Sequence, residues 1–356
     1  MSFRGARILF LCLAVVCGLP AQGGDSAVHG GGATFPFPLY AKWAHLYRQK
    51  TGLTLNYQSI GSGGGLRQIT SGTVEFVGSE APLSAAELEG QKLFQFPMVV
   101  GGVVVAVNLS GLSSGGMKLD GPVLADIYLG RILKWNDPRI RALNPGQALP
   151  DLAISVVHRA DGSGTSWLFT HYLSAVSPGW AKEVGAGLAV SWPVGAGGKG
   201  NEGVASFIKQ IPGSIGYLEA TYAEQTRLST VLLKNASGRF VGPSGGAFLA
   251  AAVQSSLGEP SVPPPVLLNL PGERTWPIVG SSYIILKREQ PDRAKAASLL
   301  AFFDWCLREG GSTAVELGYV PLPPSAVERV EGSWSGILSG GKAVWPPAPQ
   351  GGGGKP

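Results

Sequence analysis

HRADGSGTSWLF, His158 to Phe169, follows the apolar run LAISVV (Leu152 to Val157), and this junction indicates the fold class. The apolar, β-branched run reads as a buried strand. The glycines and hydroxyls of DGSGTS suit a turn that opens a helix. GTSWLFTHYLSAV then places apolar residues at helical spacing. Strand, glycine–hydroxyl loop and helix make one α/β unit, and the chain repeats that order on both sides of it.

Upstream, GGGATFP (Gly30 to Pro36) leads into an amphipathic segment with Leu39, Trp43 and Leu46 at helical spacing. LTLNYQSI alternates like a strand, GSGGGLRQITSG returns to a glycine loop and short helix, and VEFVGS is a further strand. FQFPMVVGGVVVAVNL (Phe94 to Leu109) is almost wholly apolar and reads as buried strands interrupted at Gly101–Gly102. Downstream, VLADIYLGRI predicts a helix, GNEGVASFIKQI a glycine loop and helix, and GSIGYLEA a strand. A proline-rich stretch, LGEPSVPPPVLLNLPGERTWP, breaks regular structure before the strand IVGSSYIILKRE and the helix DRAKAASLLAFFDWCLREG. The fold class is α/β, and 356 residues favour two domains over one.

Residues 1–24 read as an export signal: Arg4 and Arg7, then ILFLCLAVVCGL, then the small-residue exit PAQGG. That apolar core is too short for an ordinary transmembrane helix. Cys17 as a lipidated first residue is the weaker alternative, because the preceding AVV departs from the usual leucine-then-small pattern. Removal of the signal leaves Cys306 alone, on an apolar helical face where an inert buried thiol is expected. The net charge of +5 is scattered, without the basic runs that nucleic-acid binding requires. His29, His45, His158 and His171 lack zinc-ligand spacing, no nucleophile–base arrangement is legible, and no cofactor is expected. The chain does not read as an enzyme.

Several loops share a chemistry. In GGGATFP the glycines expose backbone donors and Thr34 adds a hydroxyl. In GSGGG, Ser62 either caps the helix or turns its hydroxyl toward a ligand. In RADGSGTS, Arg159 offers a planar fork of donors that suits a tetrahedral oxyanion, and Asp161 can steady it. Ser163, Gly164 and Thr165 open the next helix; the plainer reading is a capped helix after a surface Arg–Asp pair. Glu80 in VGSEAPLS is either a solvated acid at a strand end or an acceptor for a proton carried by the ligand. Phosphate near neutral pH carries such a proton and sulfate does not, so a buried acceptor carboxylate would favour phosphate.

Together GGGATFPFPLYAKW, YQSIGSGGGLRQI, GSEAPLS, FQFPMVVGGVVVAVN, DIYLGRILKWND, RADGSGTSWLFTHYL and GGKGNEGVA resemble the PstS phosphate-binding proteins of bacterial ABC uptake systems, over roughly residues 28 to 340. The resemblance implies a two-lobed periplasmic binding protein of type II, with phosphate in the interdomain cleft. Residues 28–105 and 275–345 would form one lobe, 106–274 the other, and 346–356 a flexible tail. It implies ligand contacts at Thr34, Phe35 (through its N–H), Ser62, Glu80, Arg159, Ser163, Gly164 and Thr165, with Asp161 holding the arginine. It also implies a membrane ABC permease as partner, a periplasmic location and a monomer. Glu80 departs from the family's aspartate and is one methylene longer. His158 stands where the family is often basic; surface packing is its simpler role. The competing readings are a binder of arsenate or sulfate, and an adhesion or sensing protein on the same fold.

Overall fold

The computed structural model describes residues 27–254 and 267–346; the predicted signal, Cys17 and all but the first residue of the predicted tail lie outside them. The eight strands on the main path of the central sheet, numbered in chain order, are β1 (Val28–Gly32), β2 (Leu55–Ser59), β3 (Phe76–Ser79), β4 (Leu93–Val107), β5 (Ser155–Arg159), β6 (Ala196–Gly198), β7 (Ser214–Glu219) and β8 (Val279–Lys287). Their spatial order is β2-β1-β3-β8-β4-β7-β5-β6. β1 runs parallel to β2 and β3, and β5 runs parallel to β6 and β7, while β4 is antiparallel to both β8 and β7. Helices occupy the connections between the parallel strands, as the alternating sequence predicts.

β4 joins the two halves of the sheet. Its first part pairs with β8, ending at Val279 opposite Gly102. Its second part pairs with β7, beginning at Val103 opposite Glu219. The expected interruption at Gly101–Gly102 does not occur: the strand is continuous for 15 residues and changes partner there instead. The glycines serve close packing. A Cβ on Gly101 would come within 2.7 Å of the Phe35 ring, and one on Gly102 would overlap the Phe248 ring. Trp276 secures the same point by donating from Nε1 to the Val103 carbonyl at 2.8 Å.

Cys306 is buried in the helix Arg293–Arg308, and burial pushes its thiol well above the ordinary value, consistent with an inert core residue. The proline-rich stretch forms no helix or named strand in its described part, residues 267–277.

Substituting Gly102→Ala should destabilise the protein by about 1–3 kcal/mol through overpacking against Phe248. The combination Gly102→Ala/Phe248→Ala should cost less than the sum of the single changes. Urea unfolding of the four proteins measures both effects, and strict additivity would show that the ring does not oppose the added methyl.

Candidate functional site

The loops singled out in the sequence leave the carboxyl ends of parallel strands. β1 leads to Thr34 and Phe35, β2 to Ser62, β3 to Glu80, and β5 to Asp161 and Ser163. Open α/β sheets place their crevice at these ends. The helices Ser62–Ser71, Gly164–Val176 and Gly200–Gln210 begin there, so their unpaired N–H groups face the same region.

Arg159 is 3% exposed, and its guanidinium lies against Asp161 in a two-point pair, Nε to Oδ1 at 2.8 Å and Nη2 to Oδ2 at 2.6 Å. Nη1 donates to Thr165 Oγ1 at 3.3 Å. Asp161 also accepts from the Gly200 N–H at 3.1 Å. Its partial burial opposes ionisation, but the bonds and charge of Arg159 outweigh that and hold its carboxyl below the ordinary range. The plainer reading, a surface ion pair, is therefore wrong: the arginine is in the interior and the aspartate half-buried.

Glu80 is 1% exposed, so the solvated-acid reading fails as well. Burial raises its pKa from an ordinary 4.5 to about 8, against the lowering pull of Ser282, Arg159 and Ser62. Its Oε2 accepts from Ser62 Oγ at 3.5 Å, and its Oε1 has no hydrogen-bond partner among the described residues. Ser62 is not a cap. The cap position belongs to Gly61, which makes no side-chain bond, and Ser62 Oγ instead accepts from the Gly164 N–H at 3.0 Å across the two halves. Only glycine fits at 164: a Cβ would come within 2.8 Å of both Ser62 Oγ and Glu80 N and would collide with the Glu80 carboxylate.

Ser163 caps the helix Gly164–Val176 by accepting from the Ser166 N–H at 3.1 Å. Thr34 is buried, and its carbonyl accepts from Tyr222 at 2.6 Å. The Phe35 ring is fully buried against Tyr319, whose hydroxyl donates to the Phe35 carbonyl at 2.7 Å. His158 stacks on Trp192 with centroids 4.9 Å apart and faces Nδ1 toward a backbone carbonyl, a packing role.

Two polar residues of this cluster were not singled out in the sequence. Asn201 bonds to both Thr34 and Thr165. Ser282 lies beside Glu80 and Tyr40, where β8 shifts register between Ser282 and Tyr283. The loop GGKGNEGVA and the serine pair inside the apolar run IVGSSYIIL were the available signals. A second buried carboxyl, Glu219, is also raised to about 8 by burial, against bonds from Thr221 and Tyr319. The cluster thus gathers one guanidinium, already paired with Asp161, several hydroxyls and helix-terminal N–H groups beside the buried Glu80 carboxyl, a donor-rich set suited to an oxyanion.

The family described as the PBP superfamily domain matches residues 19–309. The chain is 47% identical over 322 residues to the phosphate-binding protein PstS of Pasteurella multocida, covering 89% of this chain and 93% of that one. It is 47% identical over 309 residues to the phosphate-binding protein PstS of Haemophilus influenzae, covering 87% and 92%. In three dimensions it superposes on a high-affinity periplasmic phosphate-binding protein, PfluDING, solved with phosphate. The TM-score is 0.68 at 20% identity, over 89% of this chain and 97% of that one, a likeness of fold.

The two raised carboxyls set a pH dependence. Glu80 and Glu219 hold protons in the folded state up to about pH 8, whereas unfolding lets them ionise near 4.5. The unfolded state then binds fewer protons, so ligand-free stability should fall as pH rises from 4.5 to 8. Each group contributes a slope of up to about 1.4 kcal/mol per pH unit. Glu80→Gln should remove one share of that slope; a denaturation profile parallel to wild type across this window would contradict the assignment.

Proposed function

The chain belongs to the PstS family of phosphate-binding proteins, within the PBP superfamily, and from that premise we propose that it captures inorganic phosphate in its cleft and delivers it to a membrane ABC permease. It is an extracytoplasmic solute-binding protein and not an enzyme. One observation supports the ligand reading above the rest: the buried Arg159 guanidinium, joined to Thr165 and through Asn201 to Thr34, lies near the buried Glu80 carboxyl that Ser62 contacts. In this reading the phosphate contacts are Thr34, the Phe35 N–H, Ser62, Glu80, Arg159, Ser163, Gly164 and Thr165. Residues 28–105 with 275–345 form one lobe and 106–274 the other. Closure of the lobes replaces the anion's water shell with protein donors.

Glu80 sets the choice of anion. As a carboxylate it accepts the proton that phosphate keeps, and it meets sulfate with like charge and no hydrogen to share. As a neutral acid it becomes a donor, which sulfate can accept. Its pKa of about 8 therefore makes discrimination pH-dependent. The added methylene relative to aspartate keeps the carboxyl group, and its acceptor role holds where that group is ionised.

Calorimetric titration of the ligand-free protein with phosphate, arsenate and sulfate tests the reading. One-to-one phosphate binding much tighter than sulfate is expected at pH 9, with arsenate competing. Sulfate should bind more tightly as pH falls toward 6, because Glu80 is then protonated. Glu80→Gln should remove that pH dependence, and Arg159→Gln should weaken phosphate by about 2–5 kcal/mol. If the folded wild type gives no phosphate binding, the capture role is wrong. If Glu80→Gln and Glu80→Asp leave both affinities unchanged, the role of the carboxyl is wrong.

A further inference from the structure

Asn201 bridges hydroxyls from the two halves of the sheet. Thr34 follows β1 in one half, whereas Asn201, in the helix Gly200–Gln210, and Thr165, after β5, belong to the other. The Asn201 main-chain N–H donates to Thr34 Oγ1 at 3.2 Å and its Nδ2 donates to the same oxygen at 2.6 Å. Nδ2 also reaches Thr165 Oγ1 at 3.3 Å, an oxygen that already accepts from Arg159 Nη1 at 3.3 Å. The amide orientation is fixed from behind, because Oδ1 accepts from the Glu219 N–H at 2.9 Å. A flipped amide would set its NH2 against that N–H donor. Asn201 is fully buried, so water does not compete for these bonds.

A hydroxyl oxygen has two lone pairs and one hydrogen. Two N–H groups occupy the lone pairs of Thr34 Oγ1, and two occupy those of Thr165 Oγ1. Each hydroxyl then has only its hydrogen left to offer. We propose that Asn201 is a positioning residue that makes the Thr34 and Thr165 hydroxyls obligate donors to the bound oxyanion and couples that polarity to closure of the two halves. This rests on the reading that these hydroxyls bind phosphate. Asn201 acts through the threonines. Because the acceptor capacity of both is used, the site distinguishes a ligand oxygen from a ligand donor at these two points, and acceptance of a ligand proton falls to Glu80 in its ionised form.

A double-mutant cycle tests the inference, with phosphate affinity read by equilibrium dialysis of radiolabelled inorganic phosphate. The proteins are wild type, Asn201→Ala, Thr34→Val and the double variant, each checked for folding by circular dichroism. Should the alanine variants fail to fold, Asn201→Ser takes their place and keeps a small polar side chain at this position. Asn201→Ala should weaken phosphate about tenfold in wild type, the size of one buried hydrogen bond, and less than threefold in Thr34→Val. Equal losses in the two backgrounds would overturn the inference while leaving the phosphate reading intact. Wild type that binds no phosphate would overturn both.

Discussion

A guanidinium buried as deeply as Arg159 needs a carboxylate beside it, and the site is organised around that need. Asp161 occupies one edge of the fork and is held in turn by the Gly200 N–H, leaving Nη1 for Thr165. The pair is neutral as a unit. In the proposed reading an anion is attracted less by net charge than by oriented dipoles, namely the N–H groups at three helix starts and the hydroxyls beside them. At Glu80 burial outweighs the lowering pull of Ser282 and Arg159, so the carboxyl keeps its proton at neutral pH.

The halves meet through polar contacts at the same level. Gly164 donates to Ser62, Gly63 donates to the Gly162 carbonyl at 2.9 Å, and Thr221 donates to the Leu317 carbonyl at 2.8 Å. Such contacts are specific in direction but individually modest, about 0.5–1.5 kcal/mol each. They suit a cleft that must open again. One covalent link between the halves is more constrained. β4 passes from one half to the other at Gly102 and Val103, with aromatic rings from Phe35 and Phe248 packed where side chains would otherwise stand.

Much of this was legible in the chain. The recurring strand–loop–helix order identified the layers, and glycine–hydroxyl loops at strand ends marked Thr34, Ser62 and the Arg159–Thr165 segment. Where the reading stopped, the cause was local ambiguity. Ser62 at a helix start has the same sequence signature whether it caps its own helix or accepts from Gly164 102 residues away. Glu80 after a strand looks like a solvated acid until the sheet turns it inward. Gly101–Gly102 resembles a strand break, because weak β propensity is visible in sequence and a neighbouring aromatic ring is not. Asn201 lies in GGKGNEGVA, where an asparagine at a helix start has an ordinary explanation in turn chemistry.

Local chemistry marks the oxyanion-suited loops and the strands and helices that carry them, because hydroxyl, guanidinium and glycine chemistry and apolar periodicity are local properties. Tertiary structure alone decided burial, and burial decides charge. The same glutamate would be ionised on a surface, and the same Arg–Asp spacing would be a screened pair of little consequence. Folding brings β1, β3 and β5 to one crevice and excludes water from it. Desolvation then lifts the Glu80 pKa to about 8, and the converging donors leave the threonine hydrogens as the groups still to be offered.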